Sequence, residues 1–350
     1  MHLIWLTPGF PADENDHSCI PPLQVLAREL AARGVDLDVV ALEYPFRPEP
    51  YRWHGIRVWP CDGRNRTGCK LRTLRRAFQY GQRLLAGAPA VLHSFWLDWA
   101  ARTGERLHYR SGAPHLMTFM GQDVLPSNRK HLGFLRAMDE DRMVVLSGFH
   151  REKLAETTGL NAAHQIPWGI DARDISSQWP ENRPLDVLGV GSLLPVKDWP
   201  QWLQTLRLVA DQRPALRAEL VGEGPERKRL KRLIKSLGLG PNVQLSGQLP
   251  RDQVLDKMRQ ARVLLHTARF ESYGFVLAEA AAQGCRVVST PVGIAQAFGP
   301  TDDTPRALSG LVQDALDMAS LDAPFLPFTS QGTAERYLEI YRSMLTSPGF

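Results

Sequence analysis

Cysteine is scarce in this 350-residue chain: Cys19, Cys61, Cys69 and Cys285 show no paired metal spacing and are too few for a disulfide framework. A reducing compartment, the cytoplasm, is therefore expected. No apolar run approaches the roughly eighteen residues that span a bilayer, so any membrane contact would be peripheral, at the inner face. The opening MHLIWLTPGF lacks a charged n-region and meets Pro8, so it reads as a first strand and not as a secretory leader. Glycine is missing where a dinucleotide fold needs it. The loop after that strand, PGFPADENDHSCI, holds Gly9 alone, and the absence of G-x-G-x-x-G there counts against an NAD oxidoreductase. Acidic residues are missing from 63–97, which carry Arg64, Arg66, Lys70, Arg72, Arg75, Arg76 and Arg83.

What is present is ordinary for a globular enzyme: 43% hydrophobic and 23% charged residues, with a length that suggests two domains. The net charge of +5 is accompanied by no nucleic-acid-binding motif, and no nucleic-acid partner is expected. Within the acid-free stretch, Leu71, Leu74, Phe78, Leu84 and Leu85 give an apolar side to a basic amphipathic helix. Two readings stand. Residues 63–85 contact an anionic membrane and present a lipid-linked acceptor, or the stripe faces the core and the basic face is solvated. The second is favoured, because every amphipathic helix must place its apolar side somewhere.

Short apolar runs alternate with helical patterns along the chain. Strands are expected at Leu3 to Leu6, Val35 to Ala41, Ala90 to His93, His115 to Phe119 and Met143 to Leu146. A helix opened by Pro21 and Pro22 faces Leu23, Leu26 and Leu30 inward and ends at Gly34. Another runs from Ser147, a plausible N-cap, to Thr157. In the second half, strands are expected at Leu185 to Val190, Arg217 to Val221, Asn242 to Gly247, Val263 to His266 and Arg286 to Ser289. A helix covers Arg251 to Arg259, and a last one, Thr333 to Leu345, buries Tyr337, Leu338, Tyr341, Met344 and Leu345. Ser176 to Pro184, with two prolines and no periodicity, reads as a linker. The pattern is that of two Rossmann-like α/β domains.

The stretch FESYGFVLAEAAAQG, Phe270 to Gly284, lies between two buried strands. Its helix should start near Tyr273 or Gly274, with unpaired N–H groups and the positive dipole end at the sheet's carboxyl edge: a site suited to a diphosphate. Glu271 stands at the mouth and Glu279 eight residues on. Carboxylates beside a phosphate site are natural partners for sugar and ribose hydroxyls. A surface pair of glutamates on an ordinary helix is the bland alternative.

This Glu-x7-Glu arrangement resembles the donor motif of retaining glycosyltransferases of family 4. The resemblance spans nearly the whole chain and is strongest from 185 to 293. It implies a GT-B fold, with two Rossmann-like parallel-sheet α/β/α domains facing a cleft and a C-terminal helix crossing back to the first. The domains would be 1–172 for the acceptor, 173–330 for the nucleotide sugar, and 331–350 for that helix. By the resemblance, Glu271 touches the transferred sugar and Glu279 the ribose, while Gly274, Phe275 and Val276 offer the helix start. Lys197, in GSLLPVKDW, would bind the diphosphate as a catalytic residue, with Ser192 standing where the family has arginine. Backbone at Gln248 and Leu249 would meet the base. On the acceptor side, Gly9, His93, Met120 and Asp123 would line the cleft, Met120 replacing the family's histidine in MGQDVL. HQIPWGIDARDI resembles the interdomain crossing, and Gly293 keeps one of two adjacent glycines, Ile294 replacing the other.

The activity implied is transfer from a nucleotide-diphosphate sugar to a hydroxyl acceptor, on a glycan, lipid-linked saccharide or small metabolite. Anomeric configuration would be retained, the leaving phosphate accepting the proton. No cofactor and no metal are expected. Met120, Ser192 and the first loop motivate an alternative, a non-catalytic sugar-nucleotide-binding or scaffolding relative. An epimerase on the same fold is a further one.

Overall fold

The computed structural model describes residues 1–17, 19–175, 180, 182–318 and 325–346. The chain divides into two compact units, one formed by 1–169 with the segment from 328 onward, the other by 170–327. Of the expected linker, residues 176–179 and 181 lie outside the described residues.

Unit 1 is built on β1 (His2–Gly9), α1 (Pro21–Ala32), β2 (Asp36–Tyr44), β3 (Tyr51–Trp53), β4 (Ile56–Pro60), α2 (Lys70–Gly87), β5 (Ala90–Phe95) and α3 (Trp99–Ser111). It continues through β6 (His115–Thr118), α4 (Arg129–Leu132), β7 (Met143–Val145), α5 (Gly148–Thr158) and β8 (His164–Gln165). The sheet order is β3-β4-β2-β1-β5-β6-β7-β8, parallel except for the β3–β4 pair. Leu3, Ile4, Trp5 and Leu6 are all fully buried, as a central parallel strand covered on both faces requires. A carboxylate within such a sheet must be matched. Asp38 accepts from Arg57 Nε and Trp59 Nε1 at 2.7 Å each and pairs with His2 Nε2 at 2.8 Å. Burial opposes its charge, but these donors together hold its carboxyl well below the usual range.

The antiparallel β3–β4 edge has no counterpart in the sequence reading, since three-residue strands carry too little periodicity to register. The basic stretch forms α2 and takes the core-facing arrangement. Thr73, Ala77 and Gly81 are buried, and Leu74, Phe78, Leu84 and Leu85 pack on the core between α2, α3 and the sheet. Leu71, at 73% exposure, is left out.

Unit 2 holds β9 (Leu185–Val190), α6 (Trp199–Gln212), β10 (Ala218–Val221), α7 (Arg227–Ser236), β11 (Val243–Gly247) and α8 (Arg251–Gln260). After them come β12 (Ala261–His266), α9 (Phe275–Ala282), β13 (Arg286–Ser289) and α10 (Pro305–Asp317). Its sheet runs β11-β10-β9-β12-β13, every pair parallel. One face is covered by α6, α7 and α10, through Trp202, Leu206, Leu230, Ile234 and Val312. The other is covered by α8 and α9, through Leu255, Met258, Leu277 and Ala280. Successive residues of β9, Val187 and Leu188, enter opposite cores.

The last helix, α11 (Ser330–Thr346), belongs to unit 1. Tyr337 and Tyr341 stack with centroids 6.0 Å apart beneath β5 and β6. Thr333 Oγ1 donates to the Pro167 carbonyl at 2.8 Å, and a Cβ on Gly169 would lie 2.0 Å from the Thr329 carbonyl. The chain thus leaves unit 1 beside the point where it returns, and only glycine allows that approach. Among the described residues, no helix is long and apolar enough to cross a membrane.

Candidate functional site

The carboxyl edge of the unit 2 sheet is assembled by backbone. Past β9, Gly191 turns at φ 153° and its N–H donates to Val221 O at 3.0 Å; past β10, Gly222 turns at φ 150° and donates to Gly247 O at 2.8 Å. A Cβ on Gly222 would fall 1.8 Å from Gly191 O, so side-chain-free backbone is needed where these turns meet. The next loop is stitched to the one after β12. Arg269 N donates to Val196 O at 2.8 Å, and Thr267 Oγ1 to the carbonyls of Lys197 and Asp198 at 3.2 and 3.1 Å.

That stitching carries Lys197 to Glu271, and the two form an ion pair. His266, buried at the end of β12, places Nε2 3.3 Å from the same carboxylate oxygen. Burial opposes ionisation of Glu271, but Lys197 and His266 outweigh it and hold the carboxyl at about 2. Burial depresses His266 below its usual range.

Gly274 caps α9 in the left-handed region, at φ 87°, and α9 begins at Phe275. Within its first turn Leu277 N donates to Gly274 O at 2.9 Å, which leaves the N–H groups of Phe275 and Val276 without helical partners. Gly293, at φ 57°, packs against Tyr273, and Ile294 N donates to Tyr273 O at 2.9 Å. The second glycine's replacement thus braces the helix start through its backbone, which an isoleucine supplies as well.

Glu279 lies on α9, 8% exposed, and is ion-paired with Arg251 from the first turn of α8. Arg251 also donates to Asp174 Oδ2 at 2.7 Å and sits 5.7 Å from the Phe275 ring centroid. Burial pushes Glu279 above the ordinary carboxylate range in spite of Arg251. Gln248 is exposed and Leu249 half-buried in the loop leading to Arg251, and Ser192 is exposed with its carbonyl accepting from Trp199 Nε1 at 2.9 Å. Lys197 with Glu271, and Glu279 with Phe275, are thereby brought together inside unit 2.

Unit 1 corrects one expectation. His93 does not line a cleft. It is fully buried, with Nδ1 2.6 Å from Tyr341 Oη and Nε2 2.8 Å from Thr118 Oγ1, so both ring nitrogens are engaged in the core. Asp123, buried in the loop after β6, serves the local backbone. Its carboxylate accepts from Leu97 N, Met120 N and Gly121 N at 2.8, 3.2 and 2.7 Å, tying the loops after β5 and β6 together. A buried turn carboxylate and a sugar-binding one look alike in sequence. Met120 is half-buried, and Gly9 is buried at the end of β1, with Cys19 and Tyr44 about the site its Cβ would occupy.

The sequence reading missed several groups. Arg251 and His266 carried no motif. Asp98 follows Trp96, a non-glycine residue at φ 68°, and caps α3 by accepting from Ala100 N at 2.6 Å. Burial, aided by Asp123, pushes its carboxyl up to about 7. Ser94 Oγ, His115 and Glu105 form a chain with spacings of 2.8 Å at each step, and Arg142 pairs with Glu105. All four are buried. A Cβ on Gly104 would lie 2.4 Å from both Ser94 Oγ and His115 Nε2, so α3 seals the serine from substrate and the chain is scaffold.

Two α/β units built on largely parallel sheets, the second with a glycine-capped helix flanked by carboxylates, define a class of architecture, the GT-B fold. Two family models cover most of the chain: Glycosyltransferase Family 4 matches residues 23–174, and Glycosyl transferases group 1 matches 171–298. The chain belongs to this group 1, family 4 glycosyltransferase family. It is 32% identical over 119 residues to the phosphatidylinositol N-acetylglucosaminyltransferase gpi3 subunit of Schizosaccharomyces pombe, covering 31% of this chain and 26% of that protein. It is 25% identical over 230 residues to the GPI3 subunit of Saccharomyces cerevisiae, 58% of this chain and 51% of that one. The chain thus spans about half or less of these relatives. Anabaena Alr3699/HepE, solved with UDP and glucose, shares the fold at a TM-score of 0.70 with 17% identity, each chain covered to 98%.

Proposed function

We propose that this chain transfers a sugar from a nucleoside-diphosphate sugar to a hydroxyl acceptor, with retention of configuration and without a metal. The observation that carries the reading is the Lys197–Glu271 pair beside the capped start of α9. A cation, an ionised carboxylate and the helix-end N–H groups of Phe275 and Val276 stand together at one sheet edge, the set of partners a sugar diphosphate calls for. Lys197 would turn from Glu271 to the diphosphate, releasing Glu271 to sugar hydroxyls. Glu279, held by Arg251, would accept from the ribose, and backbone at Gln248 and Leu249 would meet the base. Ser192 would offer one hydroxyl donor. Catalysis would rest on positioning and on stabilising the departing diphosphate.

The yeast relatives are phosphatidylinositol N-acetylglucosaminyltransferase subunits, and we extend the proposal to a membrane-borne acceptor reached from the cytoplasmic face. Direct contact of residues 63–85 with anionic lipid has less to support it. Lys70 pairs with Glu43, and Arg64 and Arg72 with Asp62, leaving Arg66, Arg75 and Arg83 on the exposed side. A non-catalytic reading is favoured by Lys197 being held by Glu271 and by serine at position 192. Incubation with UDP-sugars separates the two: slow release of UDP, accelerated by an acceptor and unaffected by chelator, is expected, and no release with any nucleotide sugar would sink the transferase.

A further inference from the structure

The ten residues of α7, RKRLKRLIKS, include six cations and no acid. Leu230 and Ile234 are buried in the core shared with α6 and α10, and Leu233 packs against it, so the helix orientation is fixed. Opposite that stripe stand Lys228, Lys231, Arg232 and Lys235, all exposed. Their i, i+3, i+4, i+7 spacing confines them to an arc of about 100° along about 10 Å of helix.

The carboxylates close to α7 are already matched elsewhere: Glu223 pairs with Arg227, and Glu226 with Arg229. Among the described residues no acid pairs with any of the four stripe cations. Lys228 and Arg232, Lys231 and Lys235, Lys228 and Lys231, and Arg232 and Lys235 are like-charge neighbours at helical contact spacing, each opposing the helix. Arg227, Lys228 and Arg229 also occupy the first turn, where the macrodipole disfavours cations. The helix accepts these costs in isolation, and a negatively charged partner relieves the like-charge repulsion along the stripe.

We propose that the outer face of α7 is a docking surface for an anionic lipid bilayer. Three of the four stripe residues are lysines, point charges suited to a diffuse negative surface and not to bidentate reading of a particular phosphate. No aromatic side chain lies on α7 to stack nucleobases, which single-stranded nucleic acid would use. A plane of headgroups meets a straight rigid stripe at every charge at once. No apolar residue lies among the four, so attachment is electrostatic, without insertion, and weakens steeply with salt. Because α7 covers the face of the unit 2 sheet opposite α8 and α9, docking leaves Arg251 and Glu279 uncovered. The inference concerns a surface and stands whether or not the transferase reading holds.

The test is co-sedimentation of the full chain with phosphatidylglycerol–phosphatidylcholine vesicles in 50 mM salt. Binding is expected to vanish with pure phosphatidylcholine and to fall steeply at 300 mM salt. K228E/K231E/R232E/K235E should weaken binding at least about tenfold, as should the milder K228Q/K231Q/R232Q/K235Q, which keeps good helix formers if charge reversal unfolds α7. R66E/R75E/R83E, on α2 and the turn before it, should weaken it far less. No binding by the native chain, undiminished binding by the folded glutamine variant, or equally tight α7-dependent binding to a single-stranded oligonucleotide would each overturn the proposal.

Discussion

Arg251 and Glu279 are ion-paired between α8 and α9, and the same guanidinium holds Asp174 at 2.7 Å. Glu279 is 8% exposed, and Arg251 is the cation that faces it. Arg251→Ala is expected to cost about 2–4 kcal/mol in urea unfolding. Arg251→Met with Glu279→Leu should recover most of that stability and none of the nucleotide-sugar binding. For Glu279→Ala alone, calorimetric donor affinity should fall about tenfold or more, the worth of a hydrogen bond to a charged group. Unchanged affinity would remove Glu279 from the donor site.

Two carboxyls give stability opposite dependences on pH. Glu271 is held at about 2, below its unfolded value, so its contribution is present above pH 4.5 and is lost as pH falls toward 2. Asp98 is pushed up to about 7, so the folded state prefers its protonated form. Stability from that source is full below pH 3.8 and declines as pH rises toward 7. Asp98→Asn keeps an equally good cap on α3 and removes the second dependence. Denaturation midpoints measured from pH 4 to 8 should therefore fall less steeply for Asp98→Asn than for the native chain. Parallel profiles would show that Asp98 does not titrate there.

How much was legible in the sequence follows from where the information sits. Leu185–Val190 and Arg286–Ser289 were read to the residue, because each is centred on adjacent buried aliphatic residues, Val187 with Leu188 and Val287 with Val288, and is closed by turn signals. Gly274 and the start of α9 were legible because a left-handed cap leaves a glycine. His93 was misplaced, because burial at a strand end depends on Tyr341, which lies 248 positions away from His93. Arg251 was invisible for a related reason: its partners Glu279 and Asp174 come from three-dimensional packing, and a lone arginine at a helix start has many other uses.

The correction at His93 carries its own prediction. Tyr341→Phe deletes the hydroxyl that meets His93 Nδ1 and should cost about 1 kcal/mol, loosening α11 from β5. His93→Ala should cost about 2–4 kcal/mol through the cavity it leaves, and with stability restored by low temperature its acceptor KM should equal that of the native chain. A raised KM with unchanged stability would return His93 to the acceptor site.

The Lys197–Glu271 pair admits the most direct test, because His266 reports on it. Lys197 repels the His266 proton, while Glu271, 3.3 Å from Nε2, attracts it; burial of the ring disfavours the charged form most of all. In Lys197→Met the repulsion disappears and the carboxylate loses its stronger partner, so the His266 pKa in an NMR titration should rise. Glu271→Gln should move it the other way. A nucleoside diphosphate that draws Lys197 from Glu271 should mimic Lys197→Met, raising the His266 pKa in the native chain and leaving it unmoved in the variant. The same shift in both proteins would mean that the diphosphate acts on His266 without Lys197, and the exchange of partners proposed for this lysine would fail.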